Sequence, residues 1–341
     1  MNNYKNPEIV NRVTLCTDEV EWEKWELLWQ TADENGKRQL KKYFPQLLKQ
    51  NPNKWNNWRK NHCDVEINLT RVNLSEINLE GINLSRANLS GVNLSKTSLK
   101  EAQLMKVNLN EADLTGANLE KANLRGALLK ANLSETNLLQ ADLLRAKLNE
   151  ANLENANLEG AKLIKADLSW TNLKGVNLKS VNLEGANLSW TNLTQVNLEG
   201  VNFTETNLSR VNLQGVNLKE VNLKGANLEG ANLKGANLEK ANLMGANLTK
   251  TNLTAANLEK ANLTGSNLTA ANLEKANLTR SNFTAANLTE ANLTKANLTE
   301  TLLDRANLTK ACLQEAILEK TNLQKTIGYL SFFAKLGLFK S

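Results

Sequence analysis

The sequence predicts a mainly β fold of the solenoid type, and three observations predict it. A five-residue pattern runs from Ile67 to about Lys325, as in the stretch GANLE-KANLM-GANLT. Its apolar positions recur with an odd period. Proline is confined to Pro7, Pro45 and Pro52, all ahead of the pattern.

Calling the central Leu of each repeat position i, centres run from Leu69 to Leu129 and from Leu133 to Leu323; only Phe203 and Phe283 replace Leu. Position i−2 is always Ala, Val, Ile, Thr or Ser, and i−1 is usually Asn. At ~100° per residue, a helix would carry successive Leu around every side. A flat strand would send them alternately to opposite faces. The chain must therefore turn a corner once per repeat, keeping i−2 and i inward, with Asn and Gly at the turns. Stacked coils then pair their backbone groups above and below, which also explains the absence of Pro from the ladder. Small residues at i−2 line the Leu column, and a large side chain there would overfill it. Between Leu129 and Leu133 one residue is missing and Leu128 stands in an Asn position, predicting a local break or a tightened corner.

These residues resemble the pentapeptide repeat family, A(N/D)LXX. The resemblance implies a right-handed quadrilateral β-helix with four repeats, or 20 residues, per coil. On that spacing the chain makes about 13 coils and a rod of about 60 Å at ~4.8 Å per layer.

The ends differ. Residues 1–62 read as an α-helical extension, 63–325 as the solenoid and 326–341 as a short helical C-terminal cap or tail. Thr17 and Asp18 can cap a helix through about Asp33, with Gly36 as its stop. Further helices are expected over Lys37–Lys49 and Lys54–Lys60. The segment NPNKWNNWRKNH resembles the W-x-x-W-R segment ahead of pentapeptide repeats; its expected role is to cover the first coil. In the tail, Tyr329, Phe332, Phe333, Leu336 and Phe339 share a helical face. Three roles compete for it: a cap on the last coil, a homodimer contact through the C-terminal end, and a weak membrane-surface anchor.

Composition removes other classes. A single His, His62, and the separated Cys16, Cys63 and Cys312 supply no metal site, and no cofactor is expected. The odd number of Cys argues for reduced thiols in a cytoplasmic setting. The polar opening MNNYKNPEIVNRV shows no secretory signal. Acidic residues are scattered over turn positions with no acid/base pair, and no enzyme is expected. Some family members resemble B-DNA and bind DNA gyrase through an acidic rod. Here the net charge is +6, and residues 63–325 hold 28 Lys+Arg against 27 Asp+Glu. Mimicry of a polyanion needs a negative surface, so a topoisomerase-binding DNA mimic, and nucleic acid as partner, are disfavoured.

The leading function is a non-catalytic scaffold presenting its faces to an unidentified protein partner. With 20 residues per coil, Glu159, Lys179, Glu199, Lys219 and Glu239 form an outward column of alternating charge. Trp170, Trp190 and Arg210 share an i+2 column, where two indoles and a guanidinium can stack. Leu144 and Ile164 lie on the neighbouring face and Leu139 one face further round. These residues are the candidate protein-binding patch; the alternative is that the N-terminal helices or the tail fold over them.

Overall fold

The structure is a computed structural model and describes residues 21–328. The extension comprises α1 (Trp22–Thr31), α2 (Glu34–Leu40), a 3₁₀ turn (Lys41–Tyr43), α3 (Phe44–Gln50) and α4 (Pro52–Asn61). Thr17 and Asp18, expected to cap α1, lie outside the described residues. Gly36 is not a stop. It sits in the first turn of α2 and donates its amide to the cap residue Asp33 Oδ1 at 2.7 Å. The single helix expected over Lys37–Lys49 is divided, because Pro45 has no N–H to continue the ladder across Tyr43–Phe44. Pro is instead accepted in the first turns of α3 and α4, and Asn51 caps α4 by accepting the Lys54 amide at 3.0 Å.

Trp22, Trp25, Trp29, Trp55 and Trp58 are all buried with Phe44, packed edge to face and in offset stacks. These aromatic side chains therefore form the core of the extension.

From Asn68 onward, parallel bridges join residues 20 apart, such as Asn68↔Asn88 and Asn287↔Asn307. Four repeats thus close one coil, giving four sides. Taking one coil as reference, side A is centred on Leu173, B on Leu178, C on Leu183 and D on Leu188. Each regular repeat shares three backbone rungs with the next coil: for Leu69, its amide to Asn88 O, Arg71 N to Ser90 O, and Asn88 N to Ile67 O. The central Leu side chains between Leu69 and Leu193 are essentially inaccessible. The i+2 residue turns the corner in the left-handed region, at φ +58° for Arg71 and +65° for Gly81.

The preference for Asn at i−1 has a double cause. Its Oδ1 accepts the i+1 amide of its own corner, as in Ser75 N to Asn73 Oδ1 at 3.0 Å. Its Nδ2 donates to the Asn one coil back, as in Asn108 to Asn88 at 3.2 Å.

The missing residue after Leu129 is absorbed as expected. Bridges run 19 residues apart from Asp113↔Asn132 to Leu128↔Lys147, then return to 20 at Asn132↔Asn152. Asn110 Oδ1 accepts the Lys130 amide at 3.1 Å and holds the shortened corner. At the far end, the Asn307↔Ile327 bridge carries the ladder slightly past Lys325. The tail from Tyr329, with its expected helical cap, lies outside the described residues.

The first coil has no coil beneath it on side C, and α4 supplies the substitutes. Trp55 Nε1 donates to Asn83 O at 3.0 Å, where a preceding Leu amide would donate. Arg59 Nη2 reaches Ser85 O at 3.3 Å, in place of an i+2 amide. Asn56 Oδ1 accepts Asn83 N at 2.8 Å, in place of an i−2 carbonyl. All three rungs of a missing repeat are thereby replaced by side chains of one helix.

Candidate functional site: an aromatic stack on a rod corner

Trp170 and Trp190 occupy i+2 positions at the corner between sides D and A, at φ +60° and +64°. This backbone conformation aims the side chain outward at the corner, and the 20-residue repeat places successive corners one layer apart. The indoles stack at 4.8 Å between centroids with 11° between planes. Arg210 continues the column, its Cζ 4.6 Å from the Trp190 ring. Trp170 is 59% and Trp190 45% exposed. The expected stack of two indoles and a guanidinium is thus present.

The other proposed patch residues stand apart from it. Leu144 and Ile164 lie in one column on side C and Leu139 on side B, and all three are only half-buried rather than prominent. Ser169 and Ser189 occupy the corresponding positions of side D, between that column and the indoles. The hydrogen bonds of α4 to the rod land on Gly81, Asn83 and Ser85, so the described N-terminal helices leave the indoles open.

The charge column is partly formed. Lys179–Glu199 (3.8 Å) and Lys219–Glu239 (3.1 Å) pair. Glu159 instead accepts from Asn177 Nδ2 at 3.2 Å, and no ion pair joins Glu199 to Lys219. Cross-coil pairs that the sequence reading missed stand in other columns, including Lys174–Glu154 at 2.7 Å and Arg280–Glu300 at 2.7 Å. A hydrogen bond from Lys174 holds the Glu154 carboxyl below the usual range, and Arg280 does the same for Glu300. Reading opposite charges at 20-residue spacing in all columns would have found them. Among the described residues no group of three or more His, Cys, Asp or Glu is placed to hold a metal. No helix among them is long and apolar enough to cross a membrane.

The family model for pentapeptide repeats matches successive segments within residues 67–324. The chain belongs to the pentapeptide repeat family. Membership carries a right-handed four-sided β-helix and a non-catalytic character. Among solved structures, HetL from Nostoc sp. strain PCC 7120, a pentapeptide repeat protein involved in heterocyst differentiation regulation, is 33% identical. The match covers 72% of this chain and 93% of HetL, with a TM-score of 0.25. Rfr23 from Cyanothece 51142 is 30% identical over 46% of this chain and 95% of its own, with a TM-score of 0.22. QnrB1, a plasmid-mediated fluoroquinolone resistance protein, is 16% identical over 67% and 97%, with a TM-score of 0.30. No curated protein matches the chain.

Proposed function

We propose that this pentapeptide repeat protein is a cytoplasmic, non-catalytic scaffold of about 13 coils that binds a protein partner at the Trp170–Trp190–Arg210 corner. One observation carries the reading: two large aromatic side chains are exposed on a rod whose corners are otherwise mostly glycine, short or charged. Stacked indoles capped by a guanidinium form a rigid contact surface with little side-chain entropy left to lose, the composition favoured at binding hot spots. Leu144 and Ile164 would form the apolar margin on side C, with Leu139 beyond it, and the aromatic tail would cap the last coil. Near-neutral charge along the rod disfavours mimicry of DNA as the mode of binding.

The test is affinity purification from the native cell with wild type, Trp170→Ser with Trp190→Ser, and Trp170→Phe with Trp190→Phe. A partner lost from the Ser pair and kept by the Phe pair supports the reading. Retention of every partner by the Ser pair contradicts it.

A further inference from the structure

The rung pattern set by Leu69 holds for every repeat centred from Leu69 to Leu298, except at the shortened corner after Leu129 and in one stretch between residues 171 and 222. In that stretch the amides of Leu173, Gly175 and Asn192 on side A reach no carbonyl of the adjoining coil. The same is true of Leu198, Gly200 and Asn217 on side B. Asn197 and Asn222 lose their bonds to Val176 and Val201. The bridges that would pair Asn172 with Asn192 and Asn197 with Asn217 are missing accordingly. Gln195 is also exceptional: corner residues from Arg71 to Lys320 otherwise keep positive φ, apart from Lys130 at the shortened corner. A cavity of about 570 Å³ opens between residues 194–200 and 215–221, and one of about 290 Å³ between residues 171–174 and 192–196.

The sequence supplies a cause. Over three successive coils the i−2 column of side B is Val176, Val196, Val216, and that of side C is Val181, Val201, Val221. Side A has Thr171, Thr191, Val211. One coil before and one coil after, all three sides have Ala: Ala151, Ala156 and Ala161, then Ala231, Ala236 and Ala241. No other part of the rod stacks β-branched residues three deep at i−2. Side D, with Ala166, Ala186, Thr206 and Ala226, keeps every rung. Overfilling a packed interior is relieved by backbone shifts. Phe203 adds volume within the same coils, but a central Phe is not sufficient alone. Phe283, beside Ser281, keeps its 2.8 Å bond to Leu302 O. Thr191 shows the same parting. Thr171 and Thr206 donate to a carbonyl one coil back, at Leu148 and Leu183, whereas Thr191 turns to Leu188 of its own coil at 2.7 Å.

We infer that residues 171–222 form a joint built into the rod, where overfilled i−2 columns hold the coils apart and the backbone opens more readily than elsewhere. The Trp170–Trp190–Arg210 stack straps the same three coils from outside, at the corner next to the parted side A. The joint does not depend on the stack binding a partner.

Hydrogen exchange followed by mass spectrometry on the full chain tests this. Peptides covering 191–200 should exchange about 100-fold faster than peptides covering 251–260, where the ladder is continuous. Val176→Ala with Val196→Ala and Val216→Ala, which installs the residue that dominates this position elsewhere, should slow exchange at 191–200 by about tenfold or more. Trp170→Ser with Trp190→Ser should speed it. Unchanged protection at 251–260 verifies that the variants are folded. Equal protection of the two segments in wild type overturns the joint. Exchange that is not slowed by the Ala variant overturns its cause, and exchange unaffected by the Ser variant overturns the strap.

Discussion

Asn83 donates its amide to Asn56 Oδ1 at 2.8 Å, and Asn56 Nδ2 donates in turn to Gly81 O at 3.0 Å. A helix side chain therefore closes the backbone edge that an open solenoid would expose. Replacing Asn56 with Ala leaves a part-buried N–H and a carbonyl without partners, at a cost of about 1–3 kcal/mol. Urea unfolding should show that loss, with faster exchange at Asn83. An unchanged midpoint would mean that solvent serves the edge equally well.

Trp55→Phe is a narrower change. It keeps most of the buried ring but removes the donor to Asn83 O, so a loss of about 1 kcal/mol is expected from the hydrogen bond alone. A loss as large as that of Trp55→Ala would show that ring packing, and not the replaced rung, dominates.

In the body of the rod, Asn247 separates the two roles of the i−1 residue. Its Oδ1 accepts from Thr249 N and Oγ1, and its Nδ2 donates to Asn227 Oδ1 at 2.9 Å. Asn247→Asp keeps the corner acceptor and loses the ladder donor; Asn247→Ala loses both. Thermal denaturation should rank wild type above Asp above Ala, with each step about 0.5–1.5 kcal/mol. Asp113, Asp142 and Asp167 already occupy this position in the rod. Equal stability of the Asp and Ala variants would show that the ladder alone matters.

The cross-coil ion pairs give a pH dependence of definite sign. Glu154, Glu220 and Glu300 are held below their usual range, first by hydrogen bonds from Lys174, Lys240 and Arg280. A depressed carboxylate stabilises the fold above its unfolded value, and that contribution is lost as pH falls through the folded value. Thermal melts should therefore be flat near neutrality and decline below roughly pH 4. Glu220 is exposed and Glu154 and Glu300 are partly exposed, so high salt should weaken the effect. A midpoint that rises on acidification would contradict this assignment.

Much of the rod was legible because the five-residue period and the small-x-Leu inward pair demand a solenoid with one corner per repeat, while four repeats per coil came from the family resemblance. The stacked column of Trp170, Trp190 and Arg210 followed from the 20-residue coil, as did the pairing of Lys179 with Glu199. The division of the helix at Pro45 follows from proline chemistry, and Asp33 three residues before Gly36 marks a helix start. The replacement of three rungs by Trp55, Asn56 and Arg59 was not legible, since it depends on how α4 seats on residues 81–85. The parted ladder lies between these cases. Its cause, the Val176–Val196–Val216 column, appears only when i−2 residues are read coil by coil.

On the proposed function, the Trp170–Trp190 corner meets a protein partner. A photoreactive phenylalanine analogue in place of Trp190 tests this in the native cell, with the same analogue at Ala270, four coils further along that column, as control. One crosslinked protein is expected from position 190 and none from position 270. Identical crosslinking from both positions, or none from position 190, would contradict it.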